Sequence, residues 1–370
     1  MKVIRTAIIG QGRSGRDIHG QYLLTDAEHY QVVAAADLLP ERRERAAQEY
    51  KCEVYRDYRE LFKRKDIDLI INASFSHLHA PITLDILKAG FNALCEKPLA
   101  SSVKDVDRLI AASKKAKKVF AIFQQARFAP YFTKVREIID SGVLGRIVQI
   151  SIAFNGYARR WDWQTMQSYN GGSLMNTGPH PLDQALVLFG EGMPEIRCFM
   201  DRVNTFGNAE DHVKLILSGK GRPLIDLEIS SCCAYPSATY NIYGTRGGMK
   251  ATAGNTAEWK FFKLNEAPKQ KLIAAPLRKP DGLPNYCAEK LAWHEEKWPA
   301  TVESNAAGKA AYSPATAASA NMTAMFYAML HKTITTGAPL KITPEQIRRQ
   351  IAVIEECRRQ NPQIYRKRGH

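Results

Sequence analysis

Three things are scarce in this sequence, and each scarcity excludes a class of protein. There are seven cysteines (Cys52, Cys95, Cys198, Cys232, Cys233, Cys287 and Cys357), an odd and scattered set with no CxxC pair. That argues against a disulfide scaffold and for reduced thiols in a cytosolic protein. No apolar run is long enough to span a bilayer, so no transmembrane helix is expected. The opening MKVIRTAIIGQGRSG is basic and then apolar, as a signal peptide would be. Its apolar part is short and runs into a glycine loop instead of a small-residue cleavage site. It reads as a first strand, and the expected location is the cytoplasm. Internal repeats and long low-complexity tracts are also missing.

Acidic residues are outnumbered, 37 against 52 Lys and Arg, for a net charge of +15. Two readings stay open: a lysine-rich solvated surface, or attraction of an anionic substrate such as a uronate, a sugar phosphate or a nucleotide sugar. The basic runs at Lys114–Lys118 and Arg358–Arg368 are short and no aromatic residues interleave a basic stripe, so nucleic-acid binding is not expected. At 370 residues, the chain is long for one core, and two domains are expected.

Up to residue 124 short apolar runs alternate with amphipathic stretches. Ile4–Ile9, Tyr30–Ala36, Leu69–Asn72, Ala93–Glu96 and Val119–Phe123 have strand length, while Arg13–Leu24, Pro40–Tyr50, Ala80–Ala89 and Ser102–Lys115 are helix-like. This βαβα order predicts an α/β domain over 1–124 with a doubly wound parallel sheet. Beyond it come a helix near Pro130–Ser141, a strand over Arg146–Phe154 and a short helix at Pro181–Phe189. Strand-like runs follow at Glu195–Arg202, His212–Ser218, Leu224–Ser231 and Ala238–Tyr243, with no helices between them. They predict an α+β domain over 125–340 with a largely antiparallel open sheet. Asn265–Ala310 reads as irregular. Asn321–Thr336 and Pro344–Arg359 read as helices, the latter opened by Thr343 and Pro344, and 341–370 is expected to pack back on the first domain.

The first strand ends in Gly10-Gln11-Gly12-Arg13-Ser14-Gly15, a GxGxxG spacing between strand and helix. The glycines permit a tight turn, close approach of a pyrophosphate and close helix packing, and the helix N-terminus faces the phosphates. Asp37 lies 22 residues after Gly15, where a carboxylate accepts hydrogen bonds from the adenosine ribose and repels a 2′-phosphate. This predicts a dinucleotide-binding Rossmann domain with NAD favoured over NADP. Arg42 and Arg43 are close enough to blunt that preference.

Cys95-Glu96-Lys97-Pro98 falls at the carboxyl end of a strand, where such sheets bind ligands. A lysine there can hydrogen-bond a substrate hydroxyl and stabilise developing alkoxide, with Glu96 holding it in place. A third cluster runs from Gly171 to Asp183, and in it His180 precedes a helix expected to begin at Pro181. An imidazole so placed can take a hydroxyl proton near neutral pH, while Asp183 equally suits a structural role in the first helical turn.

Together, the GxGxxG–Asp pattern, the Glu96-Lys97-Pro98 tripeptide and the GG…GxHxxD segment resemble the Gfo/Idh/MocA oxidoreductases. The resemblance extends to Asn72-Ala73-Ser74 with His77 and His79, to Gln125-Ala126-Arg127-Phe128 and to Gly337-Ala338-Pro339-Leu340. It implies catalysis by Lys97 and His180. It also implies a cofactor site that includes Ser74, His77, His79, Glu96, Lys97 and Gln125 beside Gly10, Gly12, Arg13, Ser14, Gly15 and Asp37. Homo-oligomers, dimeric or tetrameric, through the second-domain sheet are implied as well. Many members carry aspartate four residues before the histidine, where this chain has Asn176. A carboxylate there would raise the basicity of the imidazole, whereas an amide only orients it. His180 is therefore expected to be the weaker base and Lys97 to carry more of the proton transfer.

Arg127, Tyr157, Trp161, Trp163, Asn176 and Asp183 are candidate substrate contacts. Aromatic faces stack on sugars and guanidiniums pair with carboxylates, although tryptophans also serve cores and interfaces. His77 and His79 near Cys95 make a poor zinc set, so no metal is expected. Cys232-Cys233 reads as buried strand. The leading expectation is an NAD-dependent dehydrogenase of a secondary hydroxyl on a sugar, glycoside or cyclitol, with acidic substrates included on account of the net charge. A redox-neutral enzyme that keeps NAD bound while it cleaves or epimerises a glycoside is the alternative. A non-catalytic NAD-binding regulator is a third class.

Overall fold

The computed structural model describes residues 2–282, 285–298 and 317–365. The first half forms a parallel six-stranded sheet of β1 (Ile4–Ile9), β2 (Tyr30–Ala36), β3 (Glu53–Tyr55), β4 (Leu69–Asn72), β5 (Asn92–Cys95) and β6 (Phe120–Ile122), in the order β3-β2-β1-β4-β5-β6. Alanine, isoleucine and leucine fill the central strands, buried on both faces as parallel strands must be. Helices α2 (Pro40–Tyr50), α3 (His79–Lys88) and α4 (Val103–Ala116) connect them. The register pairs Ile9 with both Ala36 and Asn72, and Cys95 with both Asn72 and Ile122. The carboxyl ends of five strands thus line up, and the glycine loop, Asp37, Ser74, Lys97 and Gln125 all follow from that edge.

Arg13–Leu24 is not one regular helix. A π-helical turn, Ser14–Gly20, runs into the short α1 (Gln21–Thr25). A Cβ at Gly15 would overlap the Gly10 carbonyl, and one at Gly20 would overlap the Tyr50 hydroxyl. The turn is pressed against both the glycine loop and α2, and such wide turns recur at functional sites.

The second sheet has eight strands: β7 (Ile147–Asn155), β8 (Glu195–Asp201), β9 (His212–Ser218), β10 (Leu224–Ser230), β11 (Tyr240–Gly244), β12 (Gly247–Thr252), β13 (Thr256–Phe261) and β14 (His294–Trp298). Their order is β14-β13-β12-β11-β7-β10-β9-β8, antiparallel except for the β7–β10 pair. Alternation in β8 and β9 buries one face of each strand, and elsewhere on the sheet α5 (Pro130–Asp140) packs against β12 and β13 and α7 (Pro179–Phe189) against β7 and β10. Strands β3, β12 and β13 escaped the sequence reading, and β14 lies inside the stretch read as irregular. Its His294-Glu-Glu-Lys-Trp298 sequence is an exposed edge strand with little apolar periodicity to detect. The remainder of that stretch from 299 to 310, and 366–368 of the basic C-terminal run, lie outside the described residues.

Helix α8 (Ala317–Thr336), grouped by sequence order with the second domain, packs on the first. Tyr327 stacks on Tyr22 with ring centroids 4.8 Å apart, and the Tyr30 hydroxyl donates to the Tyr327 carbonyl at 2.8 Å. Helix α9 (Pro344–Gln360) and the short α10 (Pro362–Tyr365) reach both sheets. Glu355 accepts from the Val103 amide at 3.0 Å on one side, while Gln360 and Asn361 accept from the Cys198 and Met200 amides, each at 2.9 Å, on the other. The capping box of Thr343 and Gln346 opens α9 as its sequence indicates.

Candidate active site

The glycine loop has the form a dinucleotide requires. Gly10 has φ +87°, and a Cβ there would lie 2.5 Å from the Ala73 carbonyl. At Gly12 a Cβ would meet only an Arg42 nitrogen at 3.6 Å, so this stretch of backbone is open to a ligand on that face. Asp37 Oδ2 accepts from the Gln11 amide at 2.7 Å and Oδ1 from the Leu39 amide at 2.9 Å, which fixes the carboxylate at the end of β2. Arg42 stands 3.6 Å from it. Ser14 begins the π-helical turn, and the exposed Arg13 lies close enough for its charge to act on Lys97. Among the described residues, Gln125 Oε1 and His77 Nδ1 belong to the buried polar atoms that have no hydrogen-bond partner. Open glycine backbone, a ribose-height carboxylate and unmet polar atoms at one edge fit a nicotinamide dinucleotide.

Lys97 follows β5 through a cis peptide to Pro98. Its Nζ donates to the Asn176 carbonyl at 2.9 Å, and its backbone amide donates to Glu96 Oε2 at 3.0 Å. Burial lowers the Lys97 amine from its ordinary value, opposed by Glu96 and assisted by the charges of Arg13 and Arg160. Glu96 is buried, which alone would raise its carboxyl, but the His19 hydrogen bond and charge, with Lys97 and His79, hold it at about 2. His19 Nε2 stands 3.2 Å from Glu96 Oε1 and His19 Nδ1 2.7 Å from the Tyr327 hydroxyl. Glu96 thus fixes the backbone of Lys97 from a position where it is itself buried.

The opposing wall is the turn from Gly171 to His180. Helix α6 (Ser173–Asn176) is followed directly by α7, which starts at Pro179, so His180 lies inside the first helical turn. The expected start at Pro181 was late because Pro179 suits the first position equally well. His180 is 6% exposed. Burial first, then the charge of Lys97, push its imidazole down to about 3, with Glu96 opposing. A neutral ring at physiological pH is a proton acceptor. Asn176 Nδ2 donates to Gln164 Oε1 at 3.3 Å, and Arg160 Nη2 donates to the same oxygen at 2.5 Å. Pro179's carbonyl accepts from Gln124 Nε2 and, at 2.5 Å, from Gln350 Nε2, which ties the turn to β6 and α9.

Several expected contacts are placed elsewhere. His79, expected at the cofactor, is buried, with Nδ1 2.7 Å from the Pro98 carbonyl and Nε2 3.0 Å from the Ser74 carbonyl, so the ring braces two loops. Arg127 and Asp183 are not open to substrate, because they form a buried bidentate ion pair with one another. Ser74 Oγ donates to Asn72 Oδ1 at 2.7 Å, and His77 meets Tyr169 edge-on at 4.8 Å. Trp163 packs edge-on against Phe75 at 5.1 Å. Trp161 is 78% exposed and Tyr157 62%. Tyr157 lines an open depression with Arg159 and Phe206, where the guanidinium lies 5.0 Å from the Phe206 ring centre. Among the described residues no three His, Cys, Asp or Glu side chains group as metal ligands. His19, Gln124 and Gln164 were not singled out for the site. His19 falls one helical turn after Gly15 and so could have been found from the motif, whereas the glutamines carry no sequence signal.

Residues 4–124 match the oxidoreductase family with an NAD-binding Rossmann fold, and residues 132–250 match the GFO/IDH/MocA C-terminal domain. The chain is 28% identical over 259 residues to 2,7-anhydro-N-acetylneuraminate hydratase of Mediterraneibacter gnavus, covering 68% of this chain and 67% of that protein. It is 27% identical over 203 residues to inositol 2-dehydrogenase of Salmonella typhimurium, covering 54% of this chain and 58% of the relative, little more than half its length. With trans-1,2-dihydrobenzene-1,2-diol dehydrogenase of Xenopus laevis it shares 27% identity over 65% of this chain and 72% of the relative. Among solved structures, the probable oxidoreductase yhhX superposes with TM-score 0.74 at 19% identity over 97% of both chains. The NAD-binding protein from Listeria innocua does so with TM-score 0.76 at 17% identity, also over 97% of both. At these identities the structural likeness is one of fold. No helix among the described residues is long and apolar enough to cross a membrane.

Proposed function

The chain belongs to the Gfo/Idh/MocA family of NAD-binding oxidoreductases, and on that premise we propose that it oxidises or reduces a secondary hydroxyl of a sugar, glycoside or cyclitol with NAD. The observation that carries this reading is Lys97, whose amine is held 2.9 Å from the Asn176 carbonyl at the carboxyl edge of the sheet, close enough for its charge to act on His180. Bound nicotinamide supplies the hydride acceptor or donor. The chain supplies the rest: the Lys97 amine hydrogen-bonds the reacting oxygen, and neutral His180 or Lys97 takes the hydroxyl proton. Glu96, braced by His19, keeps the lysine backbone in place, and the closely packed Gly171–His180 turn limits water. Asp37 supports NAD over NADP, because a 2′-phosphate would meet its carboxylate.

A second reading has its own support. The Mediterraneibacter relative is a hydratase of an anhydro sugar acid, and hydration involves no net redox change. The same residues would then serve a transient oxidation with NAD retained, ending in cleavage, epimerisation or addition of water. Its name, together with the net charge of +15, favours acidic sugars in the substrate panel.

The deciding measurement is NADH absorbance with purified protein and added NAD across neutral sugars, uronates, cyclitols and glycosides, with Lys97→Ala as control. Substrate-dependent NADH that disappears in the variant supports the dehydrogenase. Product formation without NADH, from protein that retains NAD through purification, supports the redox-neutral reading. If Lys97→Ala retains every activity, both assignments of the lysine fail.

A further inference from the structure

Glu210 has no part in the chemistry above, yet it is a carboxylate only 1% exposed. A buried carboxylate is costly unless hydrogen bonds compensate it, so its partners show what it is there to hold. Its backbone carbonyl accepts from the Ser173 amide and its Oε1 from the Leu174 amide, both at 2.9 Å. One residue therefore secures the two amides that open α6. The carboxylate also fills the space behind Gly172, where a Cβ would overlap it and where φ is +107°, so that only glycine fits. The turn so fixed ends at Asn176, whose amide donates to the Gly172 carbonyl at 2.8 Å and whose carbonyl receives Lys97 Nζ. Glu210 Oε2 accepts from the Tyr365 hydroxyl. Tyr365 is fixed in turn by the Arg358 guanidinium, 4.7 Å from its ring centre, and Gln167 Nε2 donates to the neighbouring Ile364 carbonyl at 2.8 Å.

We propose that Glu210, clamped by Tyr365 of the C-terminal helix α10, is a positioning residue for Lys97: it fixes the Gly172–Asn176 turn and so the carbonyl on which the lysine amine rests. The catalytic consequence rests on the reading of Lys97 given above, whereas the positioning is a property of the folded chain. Among the described residues the acceptor for the Lys97 amine is that carbonyl, while Glu96 is engaged with the Lys97 backbone and stands beside His19. A turn that relaxes by an ångström releases the amine, and misplacement on that scale is enough to degrade a reacting geometry. Glutamine preserves the arrangement: its oxygen accepts from Leu174 and its amino group donates to the tyrosine oxygen. Alanine removes both contacts.

The test needs no substrate. The full chain is acetylated with acetic anhydride at a series of pH values, and the Lys97 peptide is quantified by mass spectrometry against exposed Lys118. In Glu210→Ala and Tyr365→Phe, the limiting labelling rate of Lys97 at high pH, where the amine is neutral, should rise about threefold to tenfold, the worth of one lost hydrogen bond. Its titration midpoint should move up toward that of an exposed lysine. Glu210→Gln should stay near wild type. Should Glu210→Ala fail to fold, the milder Tyr365→Phe and Glu210→Gln carry the comparison. Unchanged Lys97 rate and midpoint in Tyr365→Phe, with only a lower melting temperature, would overturn the proposal and leave Glu210 a structural prop. A changed Lys97 profile alongside a silent NADH screen strikes the dehydrogenase reading alone. An unchanged profile alongside NADH formation strikes this inference alone.

Discussion

Arg127 and Asp183 face each other as a bidentate pair, with Arg127 Nε donating to Asp183 Oδ2 at 2.8 Å across 56 residues of chain. Arg127 Nη1 also donates to Gln346 Oε1 at 2.5 Å, so the pair joins the loop after β6, helix α7 and the start of α9. Both side chains are at least nine-tenths buried. Removing one partner strands the other's charge, and Asp183→Asn should cost about 3 kcal/mol of stability. The check is urea unfolding. Replacing both, as Arg127→Met with Asp183→Leu, should recover part of that loss, and a double variant no better than the single would show the pair is not the cause.

Asn176→Asp places a carboxylate in the turn that leads to His180. It should raise the basicity of the imidazole and bring a new acidic limb into the pH–rate profile, because His180 must lose a proton before it can accept one. In the wild-type protein, with the ring held at about 3, no limb from His180 is expected near neutrality. A limb from Lys97 should fall below the ordinary lysine range, with oxidation rising as pH increases through it. A profile unchanged by the substitution would mean that Lys97 does not carry the larger share of proton transfer for the reason given.

Acid stability carries the same signature. The folded His180 pKa is depressed, so between its unfolded value near 6.5 and about 3 the unfolded chain binds the extra proton. Stability from this group is complete above about pH 6.5 and is lost as pH falls through that window, on the order of a few kcal/mol. Melting temperatures from pH 7 to pH 4 should fall less steeply in His180→Gln than in wild type. Parallel slopes would contradict the depressed pKa.

Asp37→Ser should weaken NAD binding about tenfold or more, the scale of hydrogen bonds to a charged acceptor. It should also improve NADP binding, because the carboxylate disappears while Arg42, 3.6 Å away, remains. Fluorescence titration of both reduced cofactors reads this directly. Equal losses for the two would place the Asp37 effect in the glycine loop, through its bond to the Gln11 amide.

Self-association through the second sheet is our expectation for the assembled protein. The alternation of β8 leaves Phe199 66% exposed on the face away from the helices. Phe199→Glu should shift a dimer or tetramer toward monomer in light scattering. An unchanged mass would move the interface elsewhere.

The cofactor half was legible because its signals are local. A glycine is required where a Cβ would overlap the next strand's backbone, an aspartate must stand at a strand end to meet ribose, and apolar runs reveal buried parallel strands without reference to distant residues. Lys97 and His180 were legible in the same way, each beside its own strand or helix start. What the tertiary structure alone decided is which polar groups meet. Asp183 and Arg127 looked like pocket residues until folding paired them. His79 looked like a ligand until two carbonyls closed on its ring. The role of Glu210 depends on Gly172, Leu174 and Tyr365, and that of α8 on stacking against Tyr22 and Tyr30. Sequence patterns report backbone preference and burial, which act within a few residues. Hydrogen-bond partnership between residues far apart in the chain is fixed only when the two sheets and the C-terminal helices come together.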